Sequence, residues 1–164
     1  MEALTKYPPY QYIYQASPNP LEQIILTAVA QNGRELAEVR NTPFKRSLEA
    51  EKILVSDLQQ AGLAHSVTNK KVDGLFNKGI NFEVDFFHCE LGVAIEVEKG
   101  EVNNIWKNIC KFGESPLIRH GVLLVPIVRQ GQRNASEYYH NTVKRLHCLV
   151  NIFSLIDSLL VIGY

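Results

Sequence analysis

Phe82 to Lys99 reads FEVDFFHCELGVAIEVEK, and its alternation decides the fold. Successive strand residues point to opposite faces. Across Ile80–Cys89, the residues Ile80, Phe82, Val84 and Phe86 take one face, and Asn81, Glu83, Asp85 and Phe87 the other. The chain turns at Glu90-Leu91-Gly92. Over Val93–Lys99, the residues Val93, Ile95 and Val97 then oppose Ala94, Glu96 and Glu98. Such a hairpin sets Asp85 opposite Glu96, or one pair away, and crowds Glu83, Asp85, Glu96 and Glu98 onto one side. Directly opposed like charges destabilise a sheet by up to roughly 1 kcal/mol per pair. On spacing alone two readings stand, a solvated strand face or a cation site. A solvated face would favour Lys or Thr opposite Asp85, which tips the balance toward a cation. Hard oxygen donors suit Mg²⁺ or Mn²⁺ rather than zinc.

Outward from this hairpin the period changes. On the N-terminal side, residues 1–19 read as an arm ending in Ser17-Pro18-Asn19-Pro20. Asn19 as N-cap and Pro20 at the first helical position open a helix with Leu21, Ile24, Ile25, Ala28 and Val29 on one face. Asn32-Gly33 ends or breaks it. A second helix is expected from about Thr42 to Ala61, stopped by Gly62, with Phe44, Leu48, Leu54, Val55 and Leu58 as its apolar stripe. Glu51 lies within that stripe, where burial without a partner would cost a few kcal/mol, on the order of real buried sites. Lys71 to Phe76 is a candidate strand, and Asn77-Lys78-Gly79 a turn.

On the C-terminal side, Val102 to Phe112 reads as a helix with Ile105, Ile109 and Phe112 inward. Gly121 to Val128 (GVLLVPIV) is apolar throughout, as a central strand covered on both faces requires. Asn134 followed by Glu137 resembles a capping box opening a helix with Tyr138, Val143, Leu146 and Leu149. Leu159 to Tyr164 is the candidate last strand. The predicted architecture is α/β, a mixed sheet with helices on both faces.

Composition limits the function classes. The 164 residues suit a single domain, and 17 Lys+Arg balance 17 Asp+Glu, which removes the strongly basic signature of a generic nucleic-acid binder. That balance conceals sorting along the chain. Residues 83–101 hold six acidic residues and one basic, whereas residues 102–147 hold seven basic and two acidic. Cys89, Cys110 and Cys148 are too widely spaced for a disulfide frame or a zinc knuckle. Leu146–Tyr164 is broken by His147, Asn151, Asp157 and Ser158, so it reads as core rather than as a membrane span. Met1 to Tyr14 lacks a basic-then-apolar leader pattern. A soluble cytoplasmic domain is the expectation.

With these residues in view, Phe82–Lys99 resembles the core motif of the PD-(D/E)xK nuclease superfamily. There an Asp on one strand and an acidic-x-Lys triplet on the next bind catalytic magnesium. The triplet here is Glu96-Val97-Glu98, with Glu in the usual lysine position. This variant resembles the BamHI and BglII branch of type II restriction endonucleases. Gly121 to Leu146 (GVLLVPIVRQGQRNASEYYHNTVKRL) fits the same branch, and the likeness covers roughly Leu48 to Tyr164.

The resemblance implies a restriction-endonuclease-like fold and magnesium-dependent hydrolysis of phosphodiester bonds in double-stranded DNA, with Mn²⁺ able to substitute. Asp85, Glu96 and the backbone carbonyl of Val97 would hold metal. Glu98 would orient or deprotonate water, and Glu51 would be the auxiliary helix glutamate. Asp85→Ala or Glu96→Ala is expected to abolish cleavage and leave the fold intact. Lys99 lies one residue past the usual lysine, so alternation points it to the opposite face unless a bulge turns it. A homodimer is implied, because two sites cut two strands, and the Leu21–Val29 face is the candidate interface. Two other readings remain: a structure-specific repair nuclease, and a nuclease-like DNA-binding or regulatory module without cleavage.

Weaker signals surround the motif. Arg129, Gln130, Gln132, Arg133 and Asn134 form a polar loop where the branch places base-reading residues, and such side chains make bidentate base contacts. Without the resemblance, a polar loop is only a solvated connection. Lys70 and Lys71 could touch a duplex backbone. Lys107 and Lys111 read as a solvated helix face, His88 as a satisfied core histidine, and Trp106 as core. The Tyr7, Tyr10, Tyr12 and Tyr14 cluster reads as a docking arm.

Overall fold

Residues 7–100, 102–130 and 135–164 are described by a computed structural model. In chain order they form β1 (Tyr10–Gln15), α1 (Glu22–Gln31), α2 (Gly33–Asn41), α3 (Ser47–Gln60), β2 (Ala64–Val67), β3 (Val84–His88) and β4 (Val93–Val97). Then come α4 (Val102–Glu114), β5 (His120–Val125), β6 (Arg129–Gln130), β7 (Ala135–Ser136), α5 (Tyr138–Leu146), a 3₁₀ turn (Asn151–Ser154) and β8 (Ser158–Gly163).

The main sheet has the order β1-β8-β5-β4-β3-β2. Its middle strands β4, β5 and β8 pair in parallel, and the flanking pairs are antiparallel. Every residue of those three strands is buried, as strands covered on both faces require, and Glu96, His120 and Ser158 are buried among their apolar residues. One face packs Phe86, Val93, Ile95 and Val97 against α1, α2 and α3. The other packs Phe87, Ala94, Leu123 and Val161 against α4 and α5. The result is a mixed α/β sheet flanked by helices on both faces, the architecture that the resemblance implies.

Several local expectations are corrected. Part of the expected arm, Tyr10–Gln15, is an edge strand paired antiparallel with β8. Tyr10 is exposed, whereas the Tyr12 hydroxyl donates to Glu22 at 2.6 Å and Tyr14 stacks on Phe153. α1 starts two residues later than expected, with Leu21 as its N-cap and Pro20 outside it; Asn19 Oδ1 accepts the Leu21 N–H at 2.9 Å in the turn just ahead of the helix. Asn32-Gly33 does break the first helix, as expected, but a second one, α2, starts directly at Gly33, and its Leu36 and Val39 join the core. These extra contacts bury Leu21, Ile25, Ala28 and Val29 within the chain itself, which leaves Ile24 as the exposed apolar residue of that face. The Leu21–Val29 stripe therefore packs on the core and is not free to serve as a dimer interface.

The second predicted helix starts later, at Ser47. Phe44 lies outside it and is fully exposed, and Leu48 is partly exposed. Gly62, in the left-handed region at φ 89°, ends the helical region as expected. Lys71–Phe76 is not a strand. It belongs to the turns between β2 and β3, closed by Asn69, whose side chain accepts the Phe76 N–H and donates to the Phe76 carbonyl. The expected Asn134 cap lies outside the described residues, while α5 follows with Tyr138, Val143 and Leu146 buried.

One glycine sets the height of α4 over the sheet. A Cβ at Gly121 would stand 2.5 Å from the Phe112 ring, so only glycine lets that ring lie directly on β5. The polar side chains of α4 are thereby lowered onto the ends of the strands.

Candidate active site

The hairpin register is Phe86↔Ile95, Phe87↔Ala94 and His88↔Val93. Continued by one pair, it sets Asp85 opposite Glu96, but the backbone ladder stops first. The Asp85 carboxylate instead accepts the Val97 N–H at 2.7 Å, bridging the gap where the strands diverge. The face pattern also breaks here. Phe86 packs with the α1–α3 core and Val84 with the α4–α5 core, so the expectation that they share a face is not met. On β2 the same switch divides His65 from Val67, across Ser66 at φ 55°. A left-handed non-glycine residue costs roughly 1–2 kcal/mol, and such strain gathers at functional sites.

Four carboxylates converge at this end of the sheet. Glu96, 2% exposed, projects toward α4 and accepts two hydrogen bonds from Lys111 Nζ, at 3.0 and 2.9 Å. Glu98, also buried, accepts from Asn108 at 2.7 Å and from Asn104 at 3.5 Å. Its backbone is fixed as well: its N–H donates to Leu124 at 2.8 Å, and its carbonyl accepts the Tyr164 hydroxyl at 2.6 Å. Glu51 reaches in from α3, buried as its place on the stripe predicts, and meets His65 Nε2 at 3.0 Å. Glu83 does not join them; it is exposed and precedes β3.

Burial, then the nearby Glu51, pushes Asp85 up to about 7, against the opposing pull of the Val97 N–H and Lys111. Glu96 is raised well above the ordinary carboxylate range, first by burial and then by Asp85, although Lys111 pulls the other way. One lysine does not balance the carboxylates it faces.

Lys111 is the residue of this candidate site that the reading of the sequence missed. It is buried on the sheet-facing side of α4 rather than solvated. Asn104, Asn108 and Lys111 stand at i, i+4 and i+7, one stripe of a helix. That spacing, set beside the inward Ile105, Ile109 and Phe112, was the available signal. Because Glu96 pairs with Lys111, truncation at Glu96 would strand a buried ammonium, so Glu96→Ala would not leave the fold untouched. Asp85→Ala would likewise orphan the Val97 N–H.

The remaining candidates are more dispersed. Lys99 does not point at the carboxylates; its Nζ donates to the Thr42 carbonyl at 2.6 Å. Lys70 and Lys71 are exposed, and Lys71 Nζ donates to the His65 carbonyl at 2.7 Å. Arg129 and Gln130 form β6, paired with β7, while Gln132, Arg133 and Asn134 lie outside the described residues. Trp106 is partly exposed, not core. His88 is half-buried and accepts the Leu91 N–H at 3.3 Å.

Among the described residues, no group of three or more His, Cys, Asp or Glu is arranged to hold a metal ion. A donor set of two carboxylates and a backbone carbonyl falls below that count. It still fits magnesium, which keeps several waters and takes one or two carboxylates. Burial is the first cause of the raised Asp85 and Glu96, and Lys111, bonded to both Glu96 oxygens, offsets it in part.

No helix among the described residues is long and apolar enough to cross a membrane. No curated protein matches the chain. Among solved structures, the fold is similar to restriction endonuclease BglII complexed with a DNA 16-mer, with 13% identity and a TM-score of 0.47 over 94% of this chain and 76% of that one. The whole sequence, residues 1–164, matches the family described as "Putative halobacteria restriction endonuclease". The chain belongs to that family, and its general character is that of a restriction-endonuclease-like nuclease.

Proposed function

We propose that this protein is a magnesium-dependent DNA endonuclease of the restriction type, one nuclease domain across residues 1–164, in the BamHI and BglII branch. The observation that carries the reading is the convergence of Asp85, Glu96 and Glu98 where β3 and β4 diverge, with Asp85 raised by burial and then Glu51, and Glu96 by burial and then Asp85. Such perturbed groups gathered at one place mark functional sites more often than structural ones.

Asp85, Glu96 and the Val97 carbonyl would hold Mg²⁺, with Mn²⁺ as a substitute. Bound there, the ion would offset charge growing on the phosphorus and on the leaving 3′ oxygen. Glu98, held by Asn108 and by its own backbone, orients a water and takes its proton. Glu51, steadied by His65, completes the acidic shell from the α3 side. Lys111 fixes the Glu96 carboxylate and adds a positive charge beneath the reacting phosphate. Duplex cleavage needs two such sites, so the working form is a homodimer, joined elsewhere than through Leu21–Val29.

Phage or plasmid DNA incubated with the purified protein tests the reading. Discrete fragments with Mg²⁺ and intact DNA with EDTA are the expected result. A smear or branch-only cutting would replace sequence reading with structure reading. Intact DNA under Mg²⁺ and Mn²⁺ alike would leave a binding module in place of an enzyme.

A further inference from the structure

A cleft of about 680 Å³ opens beside Glu98. Its floor includes Glu98 and Lys99, and one rim is the turn Thr42–Arg46 (TPFKR) between α2 and α3. Both stems of this turn are pinned. The Thr42 hydroxyl donates to the Glu38 carbonyl at 2.6 Å, and Lys99 Nζ donates to the Thr42 carbonyl at 2.6 Å. Lys99 thus ties the turn to the residue next to Glu98. At the exit, the Arg46 N–H donates to Glu49 at 3.0 Å.

Between the stems, Phe44 is 99% exposed and held at φ 65°. A bulky residue there is a conformational outlier, and this ring recovers nothing from packing. Arg40, Lys45, Arg46 and Lys99 line the same cleft. Four cations around one exposed aromatic ring suit a polyanion that also offers flat rings.

We propose that the Thr42–Arg46 turn is a DNA-gripping wedge. Phe44 lodges against a base step while Arg40, Lys45 and Arg46 neutralise neighbouring phosphates, which lays the strand over Glu98. Apolar wedges at base steps and cationic phosphate contacts are the two physical devices it combines. The inference rests on the proposed nucleic-acid substrate and on none of the hydrolytic chemistry.

Anisotropy of a fluorescein-labelled duplex, titrated with full-length protein in EDTA over a range of NaCl, tests it without cleavage. Phe44→Ala is expected to weaken binding about tenfold or more, a stacking contribution, with the salt dependence unchanged. Phe44→Trp restores affinity. Lys45→Ala with Arg46→Ala should flatten the slope of log K against log salt by about 2. Phe44→Gly should melt at a higher temperature than wild type, because glycine accepts φ 65° without strain, and yet bind DNA more weakly. A merely structural Phe44 would not move stability and affinity in opposite directions.

Wild-type affinity in Phe44→Ala, an unchanged salt slope in the double variant, or no duplex binding by the wild type would each overturn the wedge. So would loss of self-association in Phe44→Ala with DNA affinity intact, which would assign the ring to a second copy. Cleavage by Asp85→Asn would sink the carboxylate assignment and leave these binding results standing.

Discussion

The two ends of the parallel strands hold charge in opposite ways. At the end nearest the hairpin turn, Arg119 Nε and Nη2 donate to one Asp157 oxygen at 2.8 and 2.6 Å. Beside them, His120 Nδ1 meets the Ser158 hydroxyl at 2.8 Å. One cation faces one anion, and both are partly in water. At the other end, about four residues and roughly 13 Å along β4, Glu51, Asp85, Glu96 and Glu98 gather with Lys111 as their buried cation. The first arrangement is complete as it stands. The second holds more negative charge than its protein partners offset, an arrangement suited to binding something positive.

The comparison can be broken by exchanging charges at the two ends, and the largest effect belongs to cleavage. Asp85→Asn keeps an oxygen for the Val97 N–H, and Glu96→Gln keeps one for Lys111, so both avoid the losses of alanine. Each should lower magnesium-dependent plasmid nicking by about a thousandfold or more, the equivalent of several kcal/mol of transition-state stabilisation. Asp157→Asn at the balanced end should nick like wild type. Equal losses at both ends would erase the distinction.

Stability comes next. Lys111→Met leaves Glu96 buried without its partner and should cost about 3–5 kcal/mol in urea unfolding. Adding Glu96→Gln to Lys111→Met should recover most of that loss. No recovery would mean that Lys111 acts through packing rather than charge.

The pH response of the apo protein is smaller and follows from Asp85. Its folded value of about 7 lies above the ordinary 3.8, so between these values the folded state binds more protons than the unfolded one. Stability then falls as pH rises from about 4 through 7. Mg²⁺ should offset this loss, raising the melting temperature by about 5 °C at a hundredfold excess over Kd, more at pH 8 than at pH 5.5. An equal shift at both pH values would detach the ion from Asp85. The smallest effect is at the balanced end: Arg119→Ala breaks a partly exposed pair and should cost about 0.2–1 kcal/mol.

How much of this was legible depended on whether a residue's environment is set locally. His120–Val125 and Ser158–Gly163 lie in the middle of the sheet and are announced by their apolar stretches, and Val93–Val97 by its alternation. The shared face of Glu96 and Glu98 follows from alternation, and their expected roles only from the resemblance. Asp85 was legible as a residue but not in its pose, because left-handed Ser66 and the switch between Val84 and Phe86 are tertiary events. Val72, Leu75 and Phe76 imitate a strand because they pack on the α4–α5 core from a looped backbone. Phe44 imitates a helix stripe because its spacing to Leu48 is helical, although the turn ends only at Ser47. Lys111 was hidden because its partner lies fifteen residues away across a helix–sheet contact, which Gly121 makes close.

The most direct test of the central claim is Mn²⁺ binding followed by electron paramagnetic resonance in wild type, Asp85→Asn, Glu96→Gln and Asp157→Asn. Wild type and Asp157→Asn are expected to take up the ion alike, while Asp85→Asn and Glu96→Gln lose it. Equal uptake by all four proteins would contradict the claim.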